Sequence, residues 1–240
     1  MVAVKLRPFF SIYGGKWRVS KYYPKPKFQT LIEPFAGGGG YSLNFPHLNV
    51  VLYERDERIA GIWRYLIEEA SPEEILSIPD IAPDGSIDDL RGYPKEVKWL
   101  VGFWLNRGVV APCNIPSKWM RSGIRPGCFW GSRVKETIAT QLPAIRHWEI
   151  HNKGFEQCQF SGEATWFIDP PYKNAGVHYR YGSKMMDYAH LADWCRTRRG
   201  QVMVCENEGA GWLDFKPLAQ TKTQYTKNNR RSREVLWENE

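Results

Sequence analysis

The stretch "QTLIEPFAGGGGYSLNFPHLNVVLYE", Gln29 to Glu54, sets the fold. "QTLIEPF" and "NVVLYE" are short apolar runs bounded by Gly, Pro and Asn, the pattern of buried strands. Between them "AGGGGYSLNF" predicts a glycine turn and a short helix. "DERIAGIWRYLIEEA" then places Ile59, Ile62, Trp63 and Leu66 on one helical face. The order β-α-β-α is how an α/β domain begins.

Working outward, Ser71 before Pro72, with Glu74 three residues on, reads as a capped helix start, and Pro94 opens "KEVKWLVGFWLNRG". There Val97, Leu100, Val101, Trp104 and Leu105 recur at helical spacing, as a core stripe does. From Arg107 to Gly131 the pattern gives way to Gly, Pro, Asn and Ser among basic and aromatic residues, too long and irregular for an ordinary connection. Helical spacing returns in "RVKETIATQLPAIRHW". "EIHNKGFEQC" and "TWFI" read as strands flanking a turn, "YAHLADWCRT" as a helix and "QVMVCE" as a strand. The tail "KTQYTKNNRRSREVLWEN" reads as a hairpin over a basic turn, and no internal repeat is visible.

With 240 residues, 42% of them hydrophobic, the chain can bury one sizeable core. It contains no apolar span near the roughly 20 residues a membrane helix needs, and its first residues lack a signal peptide's apolar region, so a cytoplasmic protein with no membrane partner is expected; the sequence does not give the oligomeric state, and a monomer is the default expectation. Five scattered cysteines never spaced C-x-x-C, and histidines 147, 151, 178 and 190 without ligand spacing, predict neither disulfides nor a metal site.

The net charge of +7 is gathered in blocks. Met1 to Ile32 holds seven basic residues and no acid, Leu90 to Ala164 eleven Lys/Arg against five Glu, and Phe215 to Arg233 six Lys/Arg and no acid. A solvated basic surface would account for this. The aromatics and glycines interleaved in "SKWMRSGIRPGCFWGSR" favour a nucleic acid instead, since cations neutralise phosphates while rings stack on bases.

The glycine run Gly37 to Gly40 sits between strand and helix, where backbone approaches a ligand closely and a helix N-terminus offers free N–H groups. It is not a phosphate loop, since G-x-x-x-x-G-K-[ST] is absent, and it fits G-x-G-x-x-G poorly, with Ser42 in the last glycine's place. Glu54, 17 residues after Gly37 and at the end of the second strand, can accept hydrogen bonds from two ribose hydroxyls. A bound nucleoside is the expectation.

"YGGK", "EPFAGGGG" and "DPPY", in that order, resemble the motifs of the Dam-type DNA adenine-N6 methyltransferases of bacteria and phages over most of the chain. The resemblance implies an α/β, Rossmann-like methyltransferase fold carrying a small, mainly helical DNA-recognition insert. The methyltransferase domain would occupy 1–90 and 147–240, with the target-recognition insert at 91–146. S-adenosylmethionine would be held by Tyr13, Lys16, Glu33, by Phe35, Ala36, Gly37 and Gly39 of the loop, and by Glu54, Phe155 and Asp169. Double-stranded DNA would meet Lys118, Arg121, Arg125, Arg133, Lys227, Arg230 and Arg231. Two positions depart from the family: Ile12 stands where it has its aromatic, leaving that part to Tyr13, and Phe155 follows Gly154 without the usual acid.

The chemistry such a site needs is legible in "DPPY". The N6 lone pair of adenine is delocalised into the ring, so an enzyme must draw it out by bonding the amino hydrogens. Asp169 can accept one and the Pro170 carbonyl the other, with Pro171 restricting the backbone that aims that carbonyl. Tyr172 can stack on a base flipped from the duplex. Neither metal nor covalent nucleophile is required. The alternatives are a methyltransferase acting on RNA or on cytosine N4, and a catalytically silent DNA-binding protein on the same fold.

Overall fold

The computed structural model describes residues 5–123, 127–218 and 233–239. Seven strands form one sheet: β1 Thr30–Glu33, β2 Asn49–Tyr53, β3 Glu149–His151, β4 Ala164–Ile168, β5 Gly200–Asn207, β6 Lys216–Pro217 and β7 Glu234–Glu238. Their order across the sheet is β3-β2-β1-β4-β5-β7-β6. The first five are parallel, with Ile32 beside both Val51 and Trp166, while β7 runs antiparallel to β5 and β6. β7 falls in the tail where a hairpin is expected, but its partner β6 precedes that stretch, and 222–232, the expected first arm and basic turn, lie outside the described residues.

Because side chains alternate along a strand, neighbouring residues feed different layers. Leu31, Val50, Leu52, Phe167, Met203 and Cys205 enter one apolar cluster. It also takes in helices α1 (Glu57–Arg64), α2 (Pro72–Ser77), α3 (Lys95–Leu105) and α5 (Ser132–Gln141). Ile32, Trp166, Ile168, Val202 and Val204 enter the other, against α6 (Tyr188–Arg196). Helices on both faces of a mostly parallel sheet make the doubly wound α/β arrangement. Within the basic 91–146 segment, α3 and α5 bury Val97, Leu100, Phe103, Val134 and Ile138 in the first cluster; the four-residue α4 (Lys118–Arg121) buries nothing.

The caps follow from sequence. Ser71 and Glu74 form a reciprocal capping box on α2, and Asp56 caps α1 by accepting from Arg58 N. Two expectations need correcting. The short helix after the glycines is only a three-residue 3-10 turn, Ser42–Asn44. Asn44 Nδ2 takes the carbonyls of Gly40 and Tyr41, and Pro46 has no N–H to extend a helix, so the turn does not grow into one. The strand expected across "EIHNKGFEQC" stops at His151, where Lys153 N turns back to the His151 carbonyl, and Phe155–Gln157 is a 3-10 turn.

Candidate active site

Parallel strands bring their carboxyl ends to one edge of the sheet. The chain leaves β1 and β4 there in opposite directions, opening a crevice at the reversal of strand order, where ligands of doubly wound proteins bind. Glu33 ends β1, Glu54 follows β2 and Asp169 follows β4. A cavity of about 1230 Å³ opens at this edge. Of the residues expected to bind cofactor or to react, Tyr13, Lys16, Glu33, Phe35, Ala36, Gly37, Glu54, Phe155, Asp169, Pro170, Pro171 and Tyr172 all line it.

Gly39 does not. Its φ of 60° turns it toward Trp63, whose ring would lie 2.9 Å from an added Cβ. Gly37, at φ 46°, has open space where a side chain would be. Glu54 ties this loop to the second strand: Oε2 accepts from Gly37 N at 2.9 Å and Oε1 from Asp56 N at 2.8 Å. Burial pushes its carboxyl up to about 7 against those two donors. Glu33 accepts from the backbone N–H and the hydroxyl of Ser42, and burial pushes it up to about 8. Its visible work is to close the far end of the loop. Phe35 and Phe155 stack with centroids 5.6 Å apart, and Phe155 leans edge-on against Trp194.

At the other end, Asp169 Oδ1 lies 2.8 Å from Lys16 Nζ, an ion pair outside hydrogen-bond alignment. Burial raises Asp169 to about 6, with Lys16 opposing the rise and Glu234 adding to it. Burial also works against the Lys16 charge, but the two carboxylates outweigh it and hold the ammonium well above the usual lysine range. Lys16 Nζ sits 4.6 Å from the centroid of the half-buried Tyr172 ring. The Pro171 carbonyl accepts from Tyr188 OH at 2.5 Å, whereas the Pro170 carbonyl has no partner among the described residues.

Sequence reasoning missed several residues here. Glu206, fully buried at the end of β5, accepts from Lys173 N and Trp212 Nε1, both at 3.0 Å, and so pins the backbone just after Tyr172. Glu234 binds the hydroxyls of Tyr172 and Tyr23. After Tyr172 the chain runs across the cavity: Tyr179 OH donates to the Tyr13 carbonyl, and Arg180 reaches Glu57 at 3.2 Å.

Of the residues expected to meet DNA, Arg133 lines the cavity together with Trp119. Lys118 and Arg121 are exposed on α4 and do not reach it. Arg125, Lys227, Arg230 and Arg231 lie outside the described residues. Three exposed arginines not singled out from sequence, Arg7, Arg18 and Arg107, also line the cavity. These three and Arg133 have no acidic partner among the described residues. Among those residues no group of three or more His, Cys, Asp or Glu could hold a metal ion, and no helix is long and apolar enough to cross a membrane.

No known family's sequence model matches the chain, and no curated protein matches it. Among solved structures it is similar to a chain described as a conserved hypothetical protein from Streptococcus pyogenes, at 11% identity and a TM-score of 0.35 over 88% of this chain and 86% of that one. So loose an overlay leaves function to rest on this chain's own residues.

Proposed function

We propose that this chain transfers a methyl group from S-adenosylmethionine to the N6 amino group of adenine in DNA, on a Rossmann-like methyltransferase fold. The observation that carries the reading is the meeting of Glu54 and Gly37 with Asp169 and the unpartnered Pro170 carbonyl in one cavity at the sheet's reversal point.

The residues present fit the cofactor. Gly37 leaves its backbone open to close approach. Each Glu54 oxygen accepts one backbone N–H and keeps a lone pair for a ribose hydroxyl. Phe35 and Phe155 offer an apolar wall for the adenine ring. The bound group would supply an electrophilic methyl on a sulfonium, so the protein need only orient and polarise the amine.

Asp169, half-buried and ionised at neutral pH with a carboxyl near 6, accepts one N6 hydrogen, and the Pro170 carbonyl accepts the other. Drawing both hydrogens aside frees the nitrogen lone pair to form the new N–C bond, and the surplus N6 proton then leaves through Asp169. The Tyr172 ring lines the place a flipped base would take. At about 1230 Å³ the cavity exceeds the roughly 300–1,000 Å³ of a single-ligand pocket, which leaves room for cofactor and base together. Arg7, Arg18, Arg107 and Arg133, unneutralised at its rim, suit the phosphates of the strand that presents the base.

Calorimetry tests the cofactor half without DNA. S-adenosylmethionine should bind the wild-type protein, and Glu54→Ala should weaken it by about 1.5–3 kcal/mol, the range for hydrogen bonds to a charged group. Equal affinity in a folded Glu54→Ala variant would remove Glu54 from the ribose.

A further inference from the structure

An antiparallel strand begins where its parallel neighbours end. β7 runs against β5, with Glu234 paired to Asn207, so its first residue arrives at the carboxyl edge of the sheet, beside the residues that follow β4. No sequence motif marks Glu234. It is nonetheless buried, 4% exposed, and it lines the cavity. One of its oxygens, Oε1, accepts from Tyr172 OH and from Tyr23 OH at 2.8 Å, and lies 3.4 Å from Lys16 Nζ. Lys16 in turn contacts Asp169 at 2.8 Å. A buried carboxylate is costly unless it is paired and hydrogen-bonded, and here two of its three side-chain partners, Lys16 and Tyr172, line the reacting end of the cavity.

We propose that Glu234 is a positioning residue for Asp169: it fixes the Tyr172 ring through its hydroxyl and draws the Lys16 ammonium partly away from Asp169. The ring's height and tilt then depend on β7, although Tyr172 itself lies on the loop after β4. Tyr23 completes the cradle, its ring held edge-on by Phe167 at 5.1 Å. Because one ammonium serves two carboxylates, Asp169 is only partly neutralised and keeps the basicity that accepting an amino hydrogen requires. The inference rests on the proposed reaction for its purpose, but its geometry stands without it.

The groups facing this pair come from several elements: Lys16 and Tyr23 from the N-terminal segment, Glu33 from β1, Tyr172 and Tyr179 from the loop after β4, and Cys205 from β5. Among them Glu234 is a like charge that raises Asp169, and Lys16 is the cation that lowers it. Glu234→Gln removes the charge while its amide oxygen still accepts both tyrosine hydroxyls. Glu234→Ala removes charge and cradle together.

Carbon-13 NMR of labelled aspartate carboxyls in the unliganded protein, with the Asp169 signal assigned by its loss in Asp169→Asn, reads the electrostatic part. Asp169 should titrate at lower pH in Glu234→Gln than in wild type; an unchanged or higher midpoint overturns the proposal. Single-turnover methylation reads the positioning part. Glu234→Ala should slow transfer about tenfold or more, while S-adenosylmethionine affinity stays within about twofold and Glu234→Gln, which keeps the cradle, recovers most of the rate at neutral pH. Equal rates in all three proteins also overturn it. Should Glu234→Ala fail to fold, the Glu234→Gln titration decides alone. If the wild-type protein transfers no methyl group, the reaction is misassigned, and the Asp169 titration still settles the role of Glu234.

Discussion

Gly40→Ala tests how the glycine loop and the N-terminal segment hold each other. A Cβ at position 40 would lie 2.7 Å from Trp17 N and 2.8 Å from Lys16 N, both backbone atoms that cannot swing aside. Favourable contacts begin near ~3.5 Å, so the 15–17 segment must retreat by about 0.8 Å. Overpacking of this kind costs about 1–3 kcal/mol, and each kcal/mol lowers the melting temperature of a chain this size by about 2–4 °C. Because the displaced backbone carries Lys16, the Lys16–Asp169 contact is disturbed, and the Asp169 carboxyl, which Lys16 holds down, should titrate at a changed pH, higher where that contact lengthens. Gly37→Ala is the control. Its Cβ meets nothing within 4 Å, and its φ of 46° adds only about 1–2 kcal/mol of left-handed strain, with no effect on Lys16. Urea unfolding and carboxyl NMR on both variants provide the readings. A Gly40→Ala protein as stable as wild type, with Asp169 titrating unchanged, would refute the packing of these two segments.

Two further outcomes follow from charge. Glu33 is raised to about 8 in the folded protein against about 4.3 when unfolded, so its protonation stabilises the fold fully below pH ~4.3 and that stability is lost as pH rises to 8. Glu33→Gln keeps acceptors for Ser42 and should flatten this fall, which runs at up to about 1.4 kcal/mol per pH unit; an identical pH dependence in unfolding experiments would contradict the buried acid. Arg107→Gln and Arg133→Gln should each lower the salt slope of DNA binding by about 1 and leave S-adenosylmethionine affinity unchanged, and an unaltered slope would remove these arginines from the phosphate path.

What the sequence disclosed is what neighbours along the chain determine. "DPPY" carries acid, carbonyl and ring within four residues at a strand end, and Glu54 follows its strand directly, so both were readable without knowing the fold. Which layer Leu31 and Ile32 each enter was not read, because a run apolar on both faces carries no alternation. Glu234 was not readable, because it reaches Tyr172 only through the reversal of β7. Glu206 is pinned to Lys173 from across the sheet, and Arg7, Arg18 and Arg107 join Arg133 only when the N-terminal segment lies along 107–109, where Tyr13 N bonds the Val109 carbonyl. The short helix after the glycines failed for a smaller reason: the Asn44 side chain competes for the carbonyls a helix would use.

The central claim is that Asp169 accepts an amino hydrogen of adenine during methyl transfer. The direct measurement is single-turnover incorporation of labelled methyl from S-adenosylmethionine into duplex DNA, with modified bases mapped by sequencing, in wild type and Asp169→Ala. An interaction made chiefly in the transition state should cost about 10²-fold or more in rate when removed, while cofactor binding persists. The account predicts N6-methyladenine from the wild-type protein and almost none from Asp169→Ala. Wild-type transfer at the same rate by Asp169→Ala, or no methylated adenine from either protein, would contradict it.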